Sequence, residues 1–158
     1  MATRPSPEPP VTEFAGQLLF RLWRANHTRA AELLGSVGLT TALFALLNVI
    51  NAREGAIQQE LGSVLGIDRS TMVSLIDQLE SAGLARRRPS ATDRRAREIV
   101  ITAKGRRLLK QARRMISQVE DDVLGGLSAG ERRQLLTLLR RALDSAPAQP
   151  LWSAEEED

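Results

Sequence analysis

The 158 residues predict a mainly α fold carrying one small β-hairpin, an α+β class, and three observations predict it. Apolar residues recur at three- and four-residue steps over most of the chain, the period of a helical face. Between Asp68 and Thr102 that period gives way to two extended runs around an arginine-rich tip. Two short helical patterns meet just before those runs, across the turn Gly66-Ile67-Asp68. Short helices joined by a glycine-containing turn are a helix-turn-helix candidate, weak alone but strong with a basic hairpin directly behind it. The parts read as a winged helix-turn-helix flanked by amino- and carboxy-terminal dimerisation helices.

Residues 1–10, MATRPSPEPP, hold four prolines and are expected to form a disordered arm. From Val11 the pattern turns helical, with Val11, Phe14, Ala15, Leu18, Leu22, Ala25 and Leu33 on one row and Leu19, Trp23 and Ala30 on a second. So wide an apolar face needs more cover than one small domain offers, so residues 11–38 predict a dimerisation helix. Gly35 to Gly38 break it. Residues 39–102 predict the winged helix-turn-helix unit. Thr40 caps a helix from Thr41 to about Asn51, and Arg53-Glu54-Gly55 is a turn. Ile57, Leu61, Val64 and Leu65 give a helix of about two turns, closed by Gly66. Asp68 caps the next, whose stripe is Met72, Leu75, Ile76 and Leu79 and whose stop is Gly83. Leu84–Arg88 and Arg97–Thr102 are the strands. Residues 103–144 predict further dimerisation helices. Thr102 caps one, running from Ala103 to about Leu124, with Leu108, Ala112, Met115, Ile116, Val119 and Val123 on its stripe. A capping box, Ser128 to Glu131, starts the last, which ends near Asp144. Residues 145–158 close in Ala-Glu-Glu-Glu-Asp and are expected to be a disordered acidic tail.

Composition excludes several functions. There is no cysteine and one histidine, His27, so a disulfide framework, thiolate redox sensing and a Cys/His zinc site within the chain are ruled out. No metal and no cofactor are expected. The longest apolar run, Ala42 to Ile50, contains Asn48 and is far short of the roughly 20 residues that span a bilayer. Residues 1–10 have no apolar stretch of signal-peptide type, so a cytoplasmic protein without membrane contact is expected. Net charge is only +3, but from Leu84 to Arg114 twelve Lys or Arg face two acids, Asp93 and Glu98. That segment has an excess of ten positive charges while the remainder is acidic. Charge focused in this way is the footprint of a polyanion binder.

Candidate contacts follow from position. Arg69, Ser70, Thr71 and Ser74 lie opposite the apolar stripe near the start of their helix, where such helices read bases in the major groove. Val73 at the stripe's edge is expected in the core, with a thymine methyl contact as the alternative. Gln58, opening the preceding helix, can meet a phosphate. Arg94 and Arg95 stand at the hairpin tip, where a narrow minor groove attracts arginine. Arg86, Arg87 and Arg88 alternate faces along a strand, so Arg86 or Arg88 but not all three can face one backbone. Lys104, Arg106 and Arg107 either neutralise phosphates or are solvated.

The order of these parts resembles the MarR family, the multiple antibiotic resistance regulators. The matching pieces are Leu39-Thr40, Glu60-Leu61-Gly62, residues 65–71 (LGIDRST), residues 79–87 (LESAGLARR), residues 93–102 (DRRAREIVIT) and Lys104-Gly105. The resemblance covers residues 12–144, and the segment from Asp93 to Thr102 is its most specific piece. Two positions depart from it: Val73 stands where a small polar residue is common, and Ser-Ala-Thr precedes Asp93 in place of a second acid. The resemblance implies a triangular homodimer, a pseudo-palindromic double-stranded DNA operator, a recognition helix in the major groove and a wing in the minor groove. It implies one of Arg94 and Arg95 in that groove, and release by a small, aromatic or phenolic ligand. A pocket beside Trp23 and His27, four apart on one helix face, would suit such a ligand; an interface tryptophan and a surface histidine are the alternative. A homodimeric, effector-released repressor is therefore expected, not an enzyme, with a non-specific architectural DNA binder as the competing reading.

Overall fold

The computed structural model describes residues 14–90 and 96–146. In chain order these form α1 (Ala15–Gly35), α2 (Thr41–Ala52), α3 (Gln58–Leu65), α4 (Arg69–Ser81), β1 (Ala85–Pro89), β2 (Arg97–Ile101), α5 (Ala103–Val123) and α6 (Ala129–Ser145). Helix α1 opens after Phe14, and Val11, where the periodicity begins, lies outside the described residues, as does the arm 1–10. Helix α6 runs through Ser145, one residue into the span expected as tail, of which 147–158 also lies outside.

Local chemistry explains the starts. The Thr40 hydroxyl accepts from the Leu43 N–H at 3.2 Å, and Thr102 from the Gly105 N–H at 3.0 Å. Ser128 and Glu131 close a reciprocal box, the Ser128 N–H donating to the Glu131 carboxylate at 2.8 Å. Each cap satisfies amide donors that have no partner inside the helix.

Helix α2 is the centre of the domain and touches α1, α3, α4, α5 and β2. That is why TALFALLNVINA is apolar on more than one side. Leu46, Leu47 and Ile50 of α2 are fully buried with Leu61, Met72, Ile76, Leu79 and Ile99. The strands pair antiparallel, from Ala85 opposite Ile101 to Pro89 opposite Arg97. A bridge from Ile57 to Glu98, with the Ile99 N–H donating to the Ala56 carbonyl at 2.9 Å, fastens the hairpin to the start of α3.

The base of the hairpin meets α5 very closely. A Cβ on Gly105 would lie 2.1 Å from the Leu84 carbonyl oxygen and 2.8 Å from Ile101 Cγ1, so only glycine admits this contact. The outer helices are covered far less well. Helix α1 packs on α5 yet buries only Ala30 and Leu34, and α6 buries no residue. Phe14, Leu18, Leu19, Phe20, Leu22 and Trp23 of the first turns stay exposed, as do Leu136, Leu138 and Leu143 of α6. Among the described residues no helix is long and apolar enough to cross a membrane, and no group of three or more His, Asp or Glu could hold a metal ion.

Candidate nucleic-acid interface

The helix-turn-helix is closed by two local devices. Gly66 ends α3 at φ +66°, a left-handed conformation that glycine adopts without strain. A Cβ on Gly62 would come within 3.1 Å of the Ile67 carbonyl oxygen, which keeps the turn tight. Asp68 then takes four hydrogen bonds at the start of α4. The Ser70 and Thr71 N–H groups donate to Oδ1 at 2.8 and 3.0 Å, and their hydroxyls donate to Oδ1 and Oδ2 at 2.5 Å each. The Ser70 hydroxyl, then the Thr71 hydroxyl and both amides hold this carboxyl well below the usual carboxylate range.

The arrangement changes what Ser70 and Thr71 can offer. Their protons are committed to Asp68, so each presents lone pairs outward and acts as an acceptor. It also sets a pH dependence. A depressed carboxyl pKa contributes stability that is complete above its ordinary value of 3.8 and is lost as pH falls through the lowered one. Asp68→Ala is therefore expected to lower the melting midpoint near neutral pH, with the gap to wild type closing in strong acid; thermal melts across pH check this. A gap that is constant with pH would show the cap bonds do not carry the effect.

Along the outer edge of α4, Arg69, Ser70, Val73, Ser74 and Asp77 are exposed. Val73 was expected in the core; at 37 % exposure it stands on this edge instead. The buried side of α4 is filled by Met72, Leu75, Ile76 and Leu79, and Val73 is turned away from it. Ser74 accepts from Gln78 Nε2 at 3.3 Å and keeps its own proton for another partner. Arg69 and Gln58 line one open depression with Ile57, Asp68, Met72 and Arg97, so the starts of α3, α4 and β2 converge there. Arg97 belongs to this surface although residue patterning singled it out only as one cation in a run.

The arginine triplet separates as the alternation requires. Arg87 turns onto α4, where it meets Asp77 and Glu80, and Arg88 Nε donates to Glu98 at 2.8 Å. Arg86 is exposed at the base of the hairpin, opposite Val100, beside Thr102, Arg106 and Arg107. Lys104 is exposed, and its Nζ donates to the Ala82 carbonyl at the end of α4, at 2.7 Å. Arg106 pairs with Glu54 at 3.3 Å. Arg94, Arg95 and Asp93 at the tip lie outside the described residues.

Trp23 and His27 do share a face, stacked with centroids 4.8 Å apart, and Phe20 extends the stack at 6.0 Å. They lie on the poorly covered half of α1, Trp23 exposed and His27 half-buried. Next to them, Asn26 Oδ1 is buried with no hydrogen-bond partner among the described residues.

The arrangement is shared with known proteins. The model of the MarR family matches residues 37–96, from the start of the helix-turn-helix unit into the wing. The transcriptional repressor CouR, bound to a 23-mer DNA duplex, is 32 % identical, with 84 % of this chain and 94 % of that one covered and a TM-score of 0.75. The chain belongs to the MarR family. Among other MarR-type structures, a mutant of MarR from E. coli complexed with operator DNA is 26 % identical over 81 % of this chain and 92 % of that one, TM-score 0.70. The PcaV transcriptional regulator from Streptomyces coelicolor, in complex with its natural ligand, is 26 % identical over 90 % and 100 %, TM-score 0.68.

Proposed function

We propose that this chain is a sequence-specific DNA-binding transcriptional regulator, a homodimeric repressor that a small-molecule effector releases from a pseudo-palindromic operator, and not an enzyme. The observation that carries the reading is the outer edge of α4, polar and unobstructed, set beside a basic hairpin in the fold of the DNA-bound repressor CouR. Arg69, Ser70, Thr71 and Ser74 are the base-reading set, with Val73 as an apolar surface for a thymine methyl. Gln58 and Arg97 serve the backbone, and Arg94 and Arg95 the minor groove. Arg88, whose Nε is engaged by Glu98, joins them through its remaining guanidinium donors. Arg86, exposed beside Arg106 and Arg107 at the hairpin base, is the further candidate for a phosphate there.

The exposed apolar residues of α1 and α6, with the orphan Asn26 oxygen, support a second copy as their cover. A twofold axis would then set two α4 helices about 34–36 Å apart, one turn of duplex. An effector acts only through differential affinity for the DNA-competent spacing and another one. The PcaV complex supports a ligand as the signal, and the Trp23–His27 stack is the candidate wall for an aromatic or phenolic one.

Competition binding against random duplex tests this: a selected operator should bind at least about a thousandfold more tightly, with two chains per site. A ratio near one would replace the repressor by an architectural binder. Ser74→Leu is expected to change base preference more than salt dependence, as read by selection from a random pool at two salt concentrations. The opposite outcome would move that edge of α4 away from the bases.

A further inference from the structure

Arg87 is the middle cation of a triplet in the most basic part of the chain, yet it is the one turned inward. Its Nη1 donates to Asp77 Oδ1 at 2.7 Å and also to the Glu80 carboxylate. Its backbone N–H donates to Glu80 Oε1 at 2.6 Å. One carboxylate therefore holds both the main chain of β1 and the guanidinium, while Asp77 holds the guanidinium from the outer edge of α4. The Arg87 and Glu80 side chains are 27 % and 31 % exposed, so this contact is screened less than an ordinary surface ion pair.

We propose that Arg87 is a positioning residue that clamps the wing to the recognition helix, so that both enter adjacent grooves as one rigid reader. The proposal rests on the DNA-reading function above and adds the device that makes its two parts act together. A two-stranded hairpin is marginal by itself and takes its orientation from what it is tied to. On one side the tie is the Ala56–Ile57 to Glu98–Ile99 contact with the start of α3. On the other side it is Arg87, whose Nη1 reaches two carboxylates one helical turn apart on α4 while its backbone N–H is held by the second of them. The clamp also answers a second problem. Asp77 follows Ser70 and Ser74 at i+7 and i+3, placing a carboxylate on the edge that would approach phosphates. Pairing with Arg87 neutralises it there.

The test is footprinting of the full chain on the duplex it selects from a random pool. Methylation protection at guanine N7 reads α4 in the major groove, and hydroxyl-radical protection reads the wing in the minor groove. Arg87→Gln is expected to keep the first, lose the second and bind about tenfold more weakly. Glu80→Ala, which removes the acceptor for both the guanidinium and the backbone N–H, is expected to give the same split pattern. Arg87→Lys, which keeps the charge and a nitrogen able to bridge both carboxylates, should retain more of the minor-groove protection than Arg87→Gln. Circular dichroism establishes that each variant is folded at the assay temperature. Parallel loss of both protections in folded variants would overturn the clamp and make Arg87 a general phosphate or stability residue. Full retention of both would overturn it as well. A wild-type protein that selects no duplex would instead bring down the DNA-reading function, and the clamp with it.

Discussion

Ile76→Ala is expected to cost about 2–5 kcal/mol of folding stability, the range for deleting a large aliphatic side chain from a sealed core. Ile76 is fully buried on the inner side of α4, in one cluster with Met72, Leu79, Leu46 and Ile99. Alanine would leave a cavity that helices capped at both ends cannot close by shifting. Domains of this size are stable by about 5–15 kcal/mol in total, so the loss is a large fraction of what holds the recognition helix in place. Urea denaturation reads it directly, and Ile76→Val should give a graded loss of about 0.5–1.5 kcal/mol. An unmoved midpoint for the alanine variant would mean the stripe of α4 does not anchor it. Because the outer edge is untouched, the folded fraction should keep its base preference.

The second large effect is on binding. Arg94→Ala combined with Arg95→Ala is expected to weaken DNA binding across sequences and to flatten the dependence of log K on log salt by about one to two units. Each arginine in or beside a groove releases condensed counterions when it binds, and that release sets the slope. Fluorescence anisotropy titrations at several salt concentrations would measure it. An unchanged slope would take the tip off the duplex altogether. Ser74→Leu should do the reverse, acting on base preference more than on salt dependence.

Much of this is legible in the sequence. Helix starts could be placed because Thr40, Asp68, Thr102 and Ser128 each satisfy amide donors within three residues of themselves. The α3 stop was legible because Gly66 answers a local backbone need. The hairpin was legible because two extended runs bracket a turn, and its bounds differ from the expected ones by one residue at each misplaced end. The outer edge of α4 followed from helical spacing alone, except at Val73. There the angle lies between stripe and surface, and only the packing of Met72 and Ile76 decides which way the residue turns.

What the sequence determined by itself was everything set by near neighbours: caps, stops, the period of each helix, the strand alternation that parts Arg86 and Arg88 from Arg87, and the focusing of charge between Leu84 and Arg114. Tertiary structure alone decided which cations are free. Arg87 reaches Asp77 and Glu80, Arg88 reaches Glu98, Lys104 reaches Ala82 and Arg106 reaches Glu54. The physical reason is that a charged side chain is several ångströms long and flexible. Its partner is chosen by what the fold brings within that reach, across 52 residues for Arg106 and Glu54 and 65 for Arg113 and Asn48. Composition can count such charges, and only the packed chain shows which of them remain for DNA.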